Sequence, residues 1–319
     1  MIGLVDSLNP GIDYKTFAPA EIIPIAQIGI PDLEAMVLNY RIIELNTAIK
    51  PFLFQYLFKR MKPADGQQIL YFDPDIRIFA PLDPILNELA HCNILLTPHI
   101  LSPVPENHGP FGEHLFLNYG IYNLGFCGMT WTPETEKALT WWRTRLTTGC
   151  KDDVRNGLFV DQLWMNLVPL FFNGIHISRH LGLDVAYWNL HERELSFKDG
   201  AWFVNESIPL IFYHFSSFEY QKPESLGRYS IHYNLGNRPE MRPLFDEYRA
   251  LLQARNYPEL RQIPCTYVRT RIAHLEDIQR KYYQKHPFRR CLTWIKKRFI
   301  PRKLMHSLKN TSPEDDLVL

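Results

Sequence analysis

The chain has 319 residues, of which 46% are hydrophobic and 22% charged, a composition that excludes a disordered chain and indicates a folded globular protein. Its 35 basic and 34 acidic side chains nearly cancel, but they are unevenly spread along the chain. No stretch approaches the roughly 18 uncharged apolar residues of a membrane-spanning helix. The five cysteines form no CxxC pair, which disfavours a thiolate zinc site or a disulfide framework and favours a reducing, cytoplasmic compartment.

The first predicted elements are two short strands and two helices. Apolar runs predict strands over 2–6 and 21–26, and proline and acidic residues in first turns predict helices over 31–36 and 46–60. Lys50 lies in the first turn of the second helix. Such a lysine is either a solvated surface residue or, where the helix start faces the strand ends, a cation that reaches a phosphate.

The next strand ends in two carboxylates. Apolar residues 69–72 are followed by Asp73, Pro74 and Asp75, and the proline keeps Asp73 extended. Residues two apart in an extended chain face the same side, so both carboxylates point to one place at the end of a buried strand, where open α/β sheets bind ligands. Such a pair suits Mg²⁺ or Mn²⁺ shared with substrate phosphates. The alternative is a plain surface turn, because Asp and Pro both favour turns.

A loop rich in proline and glycine and a strand containing glycines come next. The loop over 98–112 is long enough to predict a lid or a substrate-binding loop. In the strand over 120–129, the glycines allow a ligand to approach the backbone, and Asn123 offers both a donor and an acceptor. A glycine-containing core strand is the alternative interpretation.

The remaining pattern predicts helices, a hairpin and two further strands. Asp161 begins a helix, as a cap, a site residue or both. A strand is predicted over 184–189, and the Asp199-Gly200 turn predicts a hairpin. The buried strand over 209–218 contains His214, which is either a satisfied core histidine or a ligand. Further helices are predicted over 133–146, 241–255, 270–284 and 287–299.

In order and spacing, four of these segments resemble motifs of the GT-A glycosyltransferases, most closely the bacterial nucleotide-sugar transferases similar to glycosyltransferase family eight. The four are YFDPD (71–75), similar to the family's Asp-x-Asp, YNLGF (122–126), similar to its Asn-x-Gly strand, DQLW (161–164), similar to its Asp-Gln helix start, and FYHFSSF (212–218), similar to its late strand with a metal-binding histidine. The resemblance spans roughly residues 1 to 235.

The resemblance implies an α/β, GT-A-like domain over 1–238, with a mixed, mostly parallel sheet flanked by helices. It leaves 239–319 as a helical, basic C-terminal extension. It also implies that a first strand and helix, which help family members to hold the nucleotide base, are missing upstream of 2–6. We therefore expect either a start assigned too late or a shortened protein.

The resemblance implies a metal and nucleotide site built from four residues. Asp73, Asp75 and His214 would hold Mn²⁺ or Mg²⁺ on the diphosphate of a nucleotide sugar, and Asp73 would also touch the ribose. Lys50 lies where such enzymes place a basic residue, and it would neutralise phosphate charge. Ser216 and Ser217 stand where the family has a Gly-x-Ser pattern, which leaves the phosphate contact of that loop open.

The resemblance also implies a donor-sugar pocket. Asn123 and Gly125 would shape this pocket, and Asp161 and Gln162 would contact the sugar near its anomeric carbon. The implied activity is that of a metal-dependent hexosyltransferase. It would move a sugar from a nucleotide-diphosphate donor to a glycan or lipid-linked acceptor, as in cell-envelope polysaccharide synthesis, with retention of configuration.

Two other functions remain as alternatives to the transferase. A non-catalytic, GT-A-like binding or assembly protein that lost its base pocket would keep the fold without the activity. A metal phosphohydrolase would need more carboxylates or histidines near Asp73 than the sequence places there.

The C-terminal segment is strongly basic. Eleven of the 35 Lys and Arg residues lie between Arg280 and Lys309, a range without Asp or Glu, so residues 1–279 hold 24 basic and 31 acidic side chains. Aromatic residues such as Trp294 interleave with these cations, which suits peripheral contact with an anionic membrane at its inner face. The alternative is a solvated helical appendage. No nucleic-acid module is recognisable, so no nucleic-acid partner is expected.

Overall fold

The computed structural model describes residues 1–61, 66–108 and 110–286. The helix predicted over 287–299 and most of the basic segment lie outside the described residues. Within the described ranges, the protein is mixed α/β, with several sheets and helices. In chain order, the strands and α-helices are β1 (Ile2–Val5), β2 (Glu21–Pro24), α1 (Leu33–Asn39), α2 (Ile42–Ala48), α3 (Lys50–Arg60), β3 (Gln68–Phe72), β4 (Ile76–Ile78), α4 (Asp83–Leu89), β5 (Ile94–Pro98), α5 (Glu113–Tyr119), β6 (Tyr122–Thr130), α6 (Pro133–Gly149), β7 (Asp152–Asp153), β8 (Leu158–Phe159), α7 (Gln162–Met165), α8 (Val168–Phe171), β9 (Ile175–Ile177), β10 (Leu195–Lys198), β11 (Ala201–Val204), β12 (Ile208–Pro209), β13 (Phe212–His214), α9 (Arg242–Ala254), α10 (Tyr257–Leu260) and α11 (Thr266–Lys285).

The chain divides into two compact units. Among the described residues, the first unit contains Met1–Asn46 and the chain from Pro258 to His286, and the second unit is Thr47–Tyr257. Helix α9, which the sequence assigned to a C-terminal extension, packs in the core of the second unit through Phe245 and Tyr248. All of the residues that the sequence singled out as site residues belong to the second unit.

In the first unit, β1 pairs with β2 in parallel, and α1 packs against α11. The carboxylate of Asp6, directly after β1, accepts a hydrogen bond from the backbone N–H of Thr266, the first residue of α11. A carboxylate at this position satisfies one of the free N–H groups of the helix start and favours its positive end. The end of β1 therefore caps the longest helix of the described chain.

The central sheet of the second unit has the strand order β3-β6-β5-β9. Strand β6 runs antiparallel to both β3 and β5, and only the β5–β9 pair is parallel. The prediction of a mostly parallel sheet is therefore wrong for the described residues. The physical reason is that the chain returns after β5 through the loop and α5, and β6 re-enters next to β5 in the opposite direction.

A second pair of strands, β4 and β13, positions His214 beside the loop that carries Asp73 and Asp75. Strand β13 pairs antiparallel with β4, which puts His214 opposite Ile76. The backbone N–H of Phe215 donates to the carbonyl of Asp75 over 2.9 Å, and the N–H of Asp73 donates to the carbonyl of Gly125 over 2.7 Å. These two bonds tie the loop between β3 and β4 to β13 on one side and to β6 on the other.

The hairpin that the sequence predicted is present, whereas one predicted strand is not. The hairpin is formed by β10 and β11, and Asp199 and Gly200 both have positive φ, as a two-residue hairpin turn requires. The strand predicted over 184–189 is wrong, because Tyr187–Asn189 form a 3-10 turn and only Val185 bridges β13. Across the described residues, no helix is both long and apolar enough to cross a bilayer.

Candidate metal centre

Three side chains that can bind metal converge at the loop between β3 and β4. One ligand atom from each of Asp73, Asp75 and His214 lies within 4.8 Å of the others, and no other group of three such ligands was found among the described residues. Asp73 and Asp75 flank Pro74 on the loop, and His214 ends β13. The structure thus brings together the three residues that the sequence proposed as ligands.

The three ligands differ in exposure in a way that suits a metal ion shared with a substrate. The side chains of Asp73 and Asp75 are 28% and 38% exposed, whereas that of His214 is 5% exposed. The imidazole is therefore the buried ligand, and the two carboxylates lie on the solvent-exposed side of the site. Two carboxylates and one imidazole are a donor set that suits Mn²⁺, and the open side would leave coordination positions for further oxygen ligands.

The ring of His214 packs directly against β6. A Cβ added to Gly125 would lie 2.3 Å from Cε1 and 2.8 Å from Nδ1 of this ring, distances that no real Cβ contact shows. Trp188 closes another side, with its ring centroid 5.3 Å from that of His214 in an edge-to-face arrangement. The absence of a side chain at Gly125 is therefore what allows the imidazole to lie beside the two carboxylates.

Hydrogen bonds fix the orientation of this imidazole. Nδ1 of His214 lies 3.2 Å from Oδ1 of Asn123, which also accepts the backbone N–H of Gly125 over 2.9 Å. The amide nitrogen of Asn123 lies 3.3 Å from Nε2 of His99, and Nδ1 of His99 lies 3.2 Å from the carbonyl of Ile121. Because Asn123 must use its oxygen toward Gly125, its nitrogen donates to His99, and His99 is neutral.

Charged neighbours set the protonation of His214. Burial disfavours the imidazolium, but Asp75, whose Oδ1 lies 3.2 Å from Nε2, and Asp184 outweigh burial and raise the pKa of His214 to about 10. Burial alone would raise the pKa of Asp75, but the contact with His214 outweighs it and lowers this pKa. The two groups thus stabilise each other's charged forms.

Lys50 forms a second charged cluster next to the first. Its Nζ lies 2.9 Å from Oδ2 of Asp161 and 3.7 Å from Oδ1 of Asp73, and it donates to the carbonyl of Leu124 over 2.7 Å. The ammonium also lies 4.9 Å from the ring centroid of Tyr71. Burial opposes its charge, but Asp161 and Asp73 outweigh burial and hold the pKa of Lys50 above its ordinary value.

The Lys50 ammonium is enclosed, since the side chain is only 3% exposed. It therefore faces the carboxylates from inside the protein and is not presented at the surface. Asp161 is also buried, at 1% exposure, and burial raises its pKa while Lys50 opposes the rise. Asp73 belongs to both clusters, because it is one of the three candidate metal ligands and also contacts Lys50. It accepts a hydrogen bond from the hydroxyl of Tyr71 over 2.5 Å.

The segment that carries Asp161 is strained. Val160 has a φ of 37°, a left-handed conformation that is unfavourable for a β-branched residue. Such strain persists only where the surrounding structure imposes it, and it concentrates at functional sites. Gln162, which follows Asp161, is half-buried, and its side-chain amide donates to the carbonyl of Tyr119 over 2.6 Å.

Sequence reasoning missed two buried polar residues of this region, His99 and Asp184. Asp184 is completely buried, and its Oδ1 lies 3.5 Å from Nδ1 of His214. Neither residue belongs to a motif of the resemblance. The signal that could have indicated them is weak: each is a polar residue next to an apolar run, His99 after β5 and Asp184 after Leu183.

Comparisons with known proteins place the chain near two proteins of Bacillus subtilis (strain 168). It is 30% identical to the uncharacterized protein YfnD over 177 residues, 53% of this chain and 52% of YfnD. It is 28% identical to the uncharacterized protein YfnF over 152 residues, 48% of this chain and 50% of YfnF. The chain thus spans about half the length of these curated relatives. No family model matches the chain. No solved structure matches it either.

Proposed function

We propose that this chain is a metal-dependent glycosyltransferase with a GT-A-like fold in the part that holds the site. It would move a sugar from a nucleotide-diphosphate donor to a glycan or lipid-linked acceptor, with retention of configuration. The observation that carries the proposal is the convergence of Asp73, Asp75 and His214, with ligand atoms within 4.8 Å of one another and an open side formed by the carboxylates.

The metal centre would serve the departure of the nucleotide. Asp73, Asp75 and His214 would hold Mn²⁺ or Mg²⁺, and a cation bound there would act as a Lewis acid on the leaving diphosphate. The partly exposed carboxylates would face the donor, with Asp73 also near its ribose. The buried ring of His214 would fix the position of the site, because Gly125, Asn123 and Trp188 enclose it.

Lys50 supports this site from within. Because its ammonium is buried against Asp161 and Asp73, we propose that it balances these two carboxylates and adds positive potential beneath the diphosphate. A direct phosphate contact would need a more exposed ammonium than the structure presents. The expectation that Lys50 neutralises phosphate charge is therefore proposed in this indirect form.

Asp161 and Gln162 would act at the sugar. Positive charge develops on the sugar ring as the diphosphate leaves, and a fixed carboxylate or amide nearby stabilises it. Gln162 is the more accessible of the two and is proposed to contact the sugar near its anomeric carbon, while Asp161 supplies negative charge next to it. Asn123 and Gly125 would shape the pocket by holding His214 in place.

The proposal predicts metal-dependent donor chemistry. The protein is titrated with Mn²⁺ and then with a panel of nucleotide sugars, and donor hydrolysis is followed with and without added glycan acceptors. Asp75→Asn should remove Mn²⁺-dependent nucleotide binding and leave the fold intact. The matched control is Asp199→Asn, the same change in an exposed hairpin turn, which should behave as the wild type.

Four outcomes bear on the proposal and its alternatives. Metal-dependent binding with donor hydrolysis supports the transferase. Metal binding with no nucleotide binding and no transfer favours the non-catalytic protein that lost its base pocket. Unchanged affinity for nucleotide and Mn²⁺ in Asp75→Asn refutes the role of Asp75, and the absence of any Mn²⁺ or donor binding by the wild type refutes the proposal.

A further inference from the structure

Asp184 is a buried carboxylate with an unusual lack of hydrogen bonds. It is completely buried, and among the described residues neither of its carboxylate oxygens has a hydrogen-bond donor. Its Oδ1 faces His214, whose Nδ1 lies 3.5 Å away. A buried carboxylate is costly unless charged or hydrogen-bonding neighbours compensate it, and His214 is such a neighbour.

We propose that Asp184 is a positioning residue for the candidate metal centre. It holds the proton on Nδ1 of His214, so that Nε2, the nitrogen that faces Asp75, is the one that gives up its proton when a metal binds. The inference rests on the proposed function, because it assigns a role to Asp184 within the metal site proposed there.

The geometry around His214 supports this assignment. Both groups near Nδ1 are acceptors, Oδ1 of Asn123 at 3.2 Å and Oδ1 of Asp184 at 3.5 Å. The amide of Asn123 cannot turn its nitrogen toward His214, because its oxygen accepts the N–H of Gly125. Nδ1 must therefore carry a proton, and Nε2, 3.2 Å from Asp75, is the atom left for the metal.

Asn123 orients the ring, but Asp184 adds negative charge behind it. A carboxylate behind a metal-binding histidine makes the ring a better ligand, and losing such a partner typically costs 10–100-fold in metal affinity. Arg193, which is buried and donates to the carbonyl of Leu183, compensates part of the charge on Asp184. This explains how the carboxylate is tolerated at a buried position.

The backbone at Asp184 allows a clean substitution. Its φ is 52°, a left-handed conformation that Asp and Asn tolerate better than other non-glycine residues. Asp184→Asn therefore removes the charge without changing the shape or straining the backbone. Asp199→Asn is a matched control, because Asp199 has a φ of 51° and lies in the exposed hairpin turn.

The test is the Mn²⁺ affinity of the full chain, measured by electron paramagnetic resonance of free Mn²⁺. The wild type and Asp199→Asn should bind equally, Asp75→Asn should lose binding, and Asp184→Asn should bind about 10–100-fold more weakly with an unchanged thermal midpoint. Wild-type affinity in a folded Asp184→Asn overturns the inference and leaves the metal site standing. No Mn²⁺ binding by the wild type overturns the metal site and the inference with it.

A second measurement uses the wild type and does not depend on whether a variant at Asp184 folds. Two-bond ¹H–¹⁵N spectra of the Mg²⁺-loaded wild type report which nitrogen of His214 carries the proton, with His214→Asn used to assign the signals. We expect a protonated Nδ1 and an unprotonated Nε2. A ring with the proton on Nε2 overturns the inference.

Discussion

The imidazole of His214 occupies the space that a side chain at residue 125 would fill, since a Cβ on Gly125 would lie 2.3 Å from its Cε1. A strand residue on β6 thereby determines where a residue on β13 can lie. The contact matters because the same ring position brings Nε2 within 3.2 Å of Asp75. The metal centre therefore depends on a residue that offers no ligand of its own.

Gly125→Ala should displace the imidazole and weaken Mn²⁺ binding at least tenfold. The overpacked position should also lower the free energy of unfolding by about 1–3 kcal/mol, because backbone and ring must move apart. The control is Gly128→Ala on the same strand, where the added Cβ meets leucine side chains at 3.2–3.4 Å that can shift slightly. Urea unfolding and Mn²⁺ titration of both variants test this, and equal Mn²⁺ affinities would contradict it.

Lys50→Met should destabilise the second unit strongly. Removing the ammonium leaves Asp161 buried without its partner, and breaking a buried ion pair costs about 3–5 kcal/mol. Adding Asp161→Asn should recover part of the loss, because no uncompensated charge then remains at that position. The free energy of unfolding from urea denaturation measures both steps.

The control for Lys50 is a surface ion pair. Lys137 lies 3.0 Å from Glu134, but its side chain is 70% exposed, so Lys137→Met should change stability by less than about 1 kcal/mol. If Lys50→Met were as mild as Lys137→Met, the buried pair would not contribute to the fold as its geometry indicates.

His99 should make the protein acid-sensitive. Burial lowers the pKa of His99 to about 4, below its usual value near 6.5, so between these pH values the unfolded chain binds a proton that the folded protein does not. Stability is then lost as the pH falls from about 6.5 to 4. From pH 7 to pH 4.5 the wild type should lose about 2.5 kcal/mol more than His99→Gln.

The measurement is urea unfolding at both pH values. Glutamine keeps an acceptor for Asn123, so the variant should fold at pH 7. His91→Gln, at an exposed histidine, should lose as much stability on acidification as the wild type. An equal acid loss in wild type and His99→Gln would show that His99 is not the group that titrates.

Two cysteines should resist alkylation in the folded protein. Burial raises the pKa of Cys127 to about 12, and burial together with Glu88 raises that of Cys92 to about 11, so almost no thiolate is present at pH 8. With iodoacetamide at pH 8, Cys127 should remain unlabelled and Cys92 should react slowly, whereas urea should make both react quickly. Peptide mass spectrometry reads each site, and rapid labelling of native Cys127 would contradict the burial.

Local sequence patterns predicted two parts of the metal cluster. Alternation along extended chain and the proline between Asp73 and Asp75 were enough to predict that both carboxylates face one place, and the strand before His214 was visible as an apolar run. In the structure the three ligand atoms lie within 4.8 Å of one another, an arrangement that depends on the pairing of β4 with β13, whose residues are far apart in the chain. The grouping of His214 with the two carboxylates came only from the resemblance to a family, because no local pattern links residues so far apart.

Other features were out of reach because they depend on tertiary contacts. An apolar run shows that a strand is buried but not which way its neighbour runs, so the expectation of a mostly parallel sheet was wrong. The role of Asp184 depends on a left-handed backbone and on a ring from β13, neither of which leaves a local signal. The enclosure of Lys50 likewise follows from its partners Asp161 and Leu124, more than 70 residues away in the chain.

The capping of α11 by Asp6 has a consequence for how the protein is made. The first unit needs both Met1–Asn46 and the chain from Pro258, so its early segment leaves the ribosome long before its partner exists. At about 5–20 residues per second, that wait lasts roughly ten to forty seconds, during which the contiguous second unit can finish folding. Nascent chains that stall before Thr266 should therefore carry residues 1–46 without α11 to pack against, a segment that chaperones could bind.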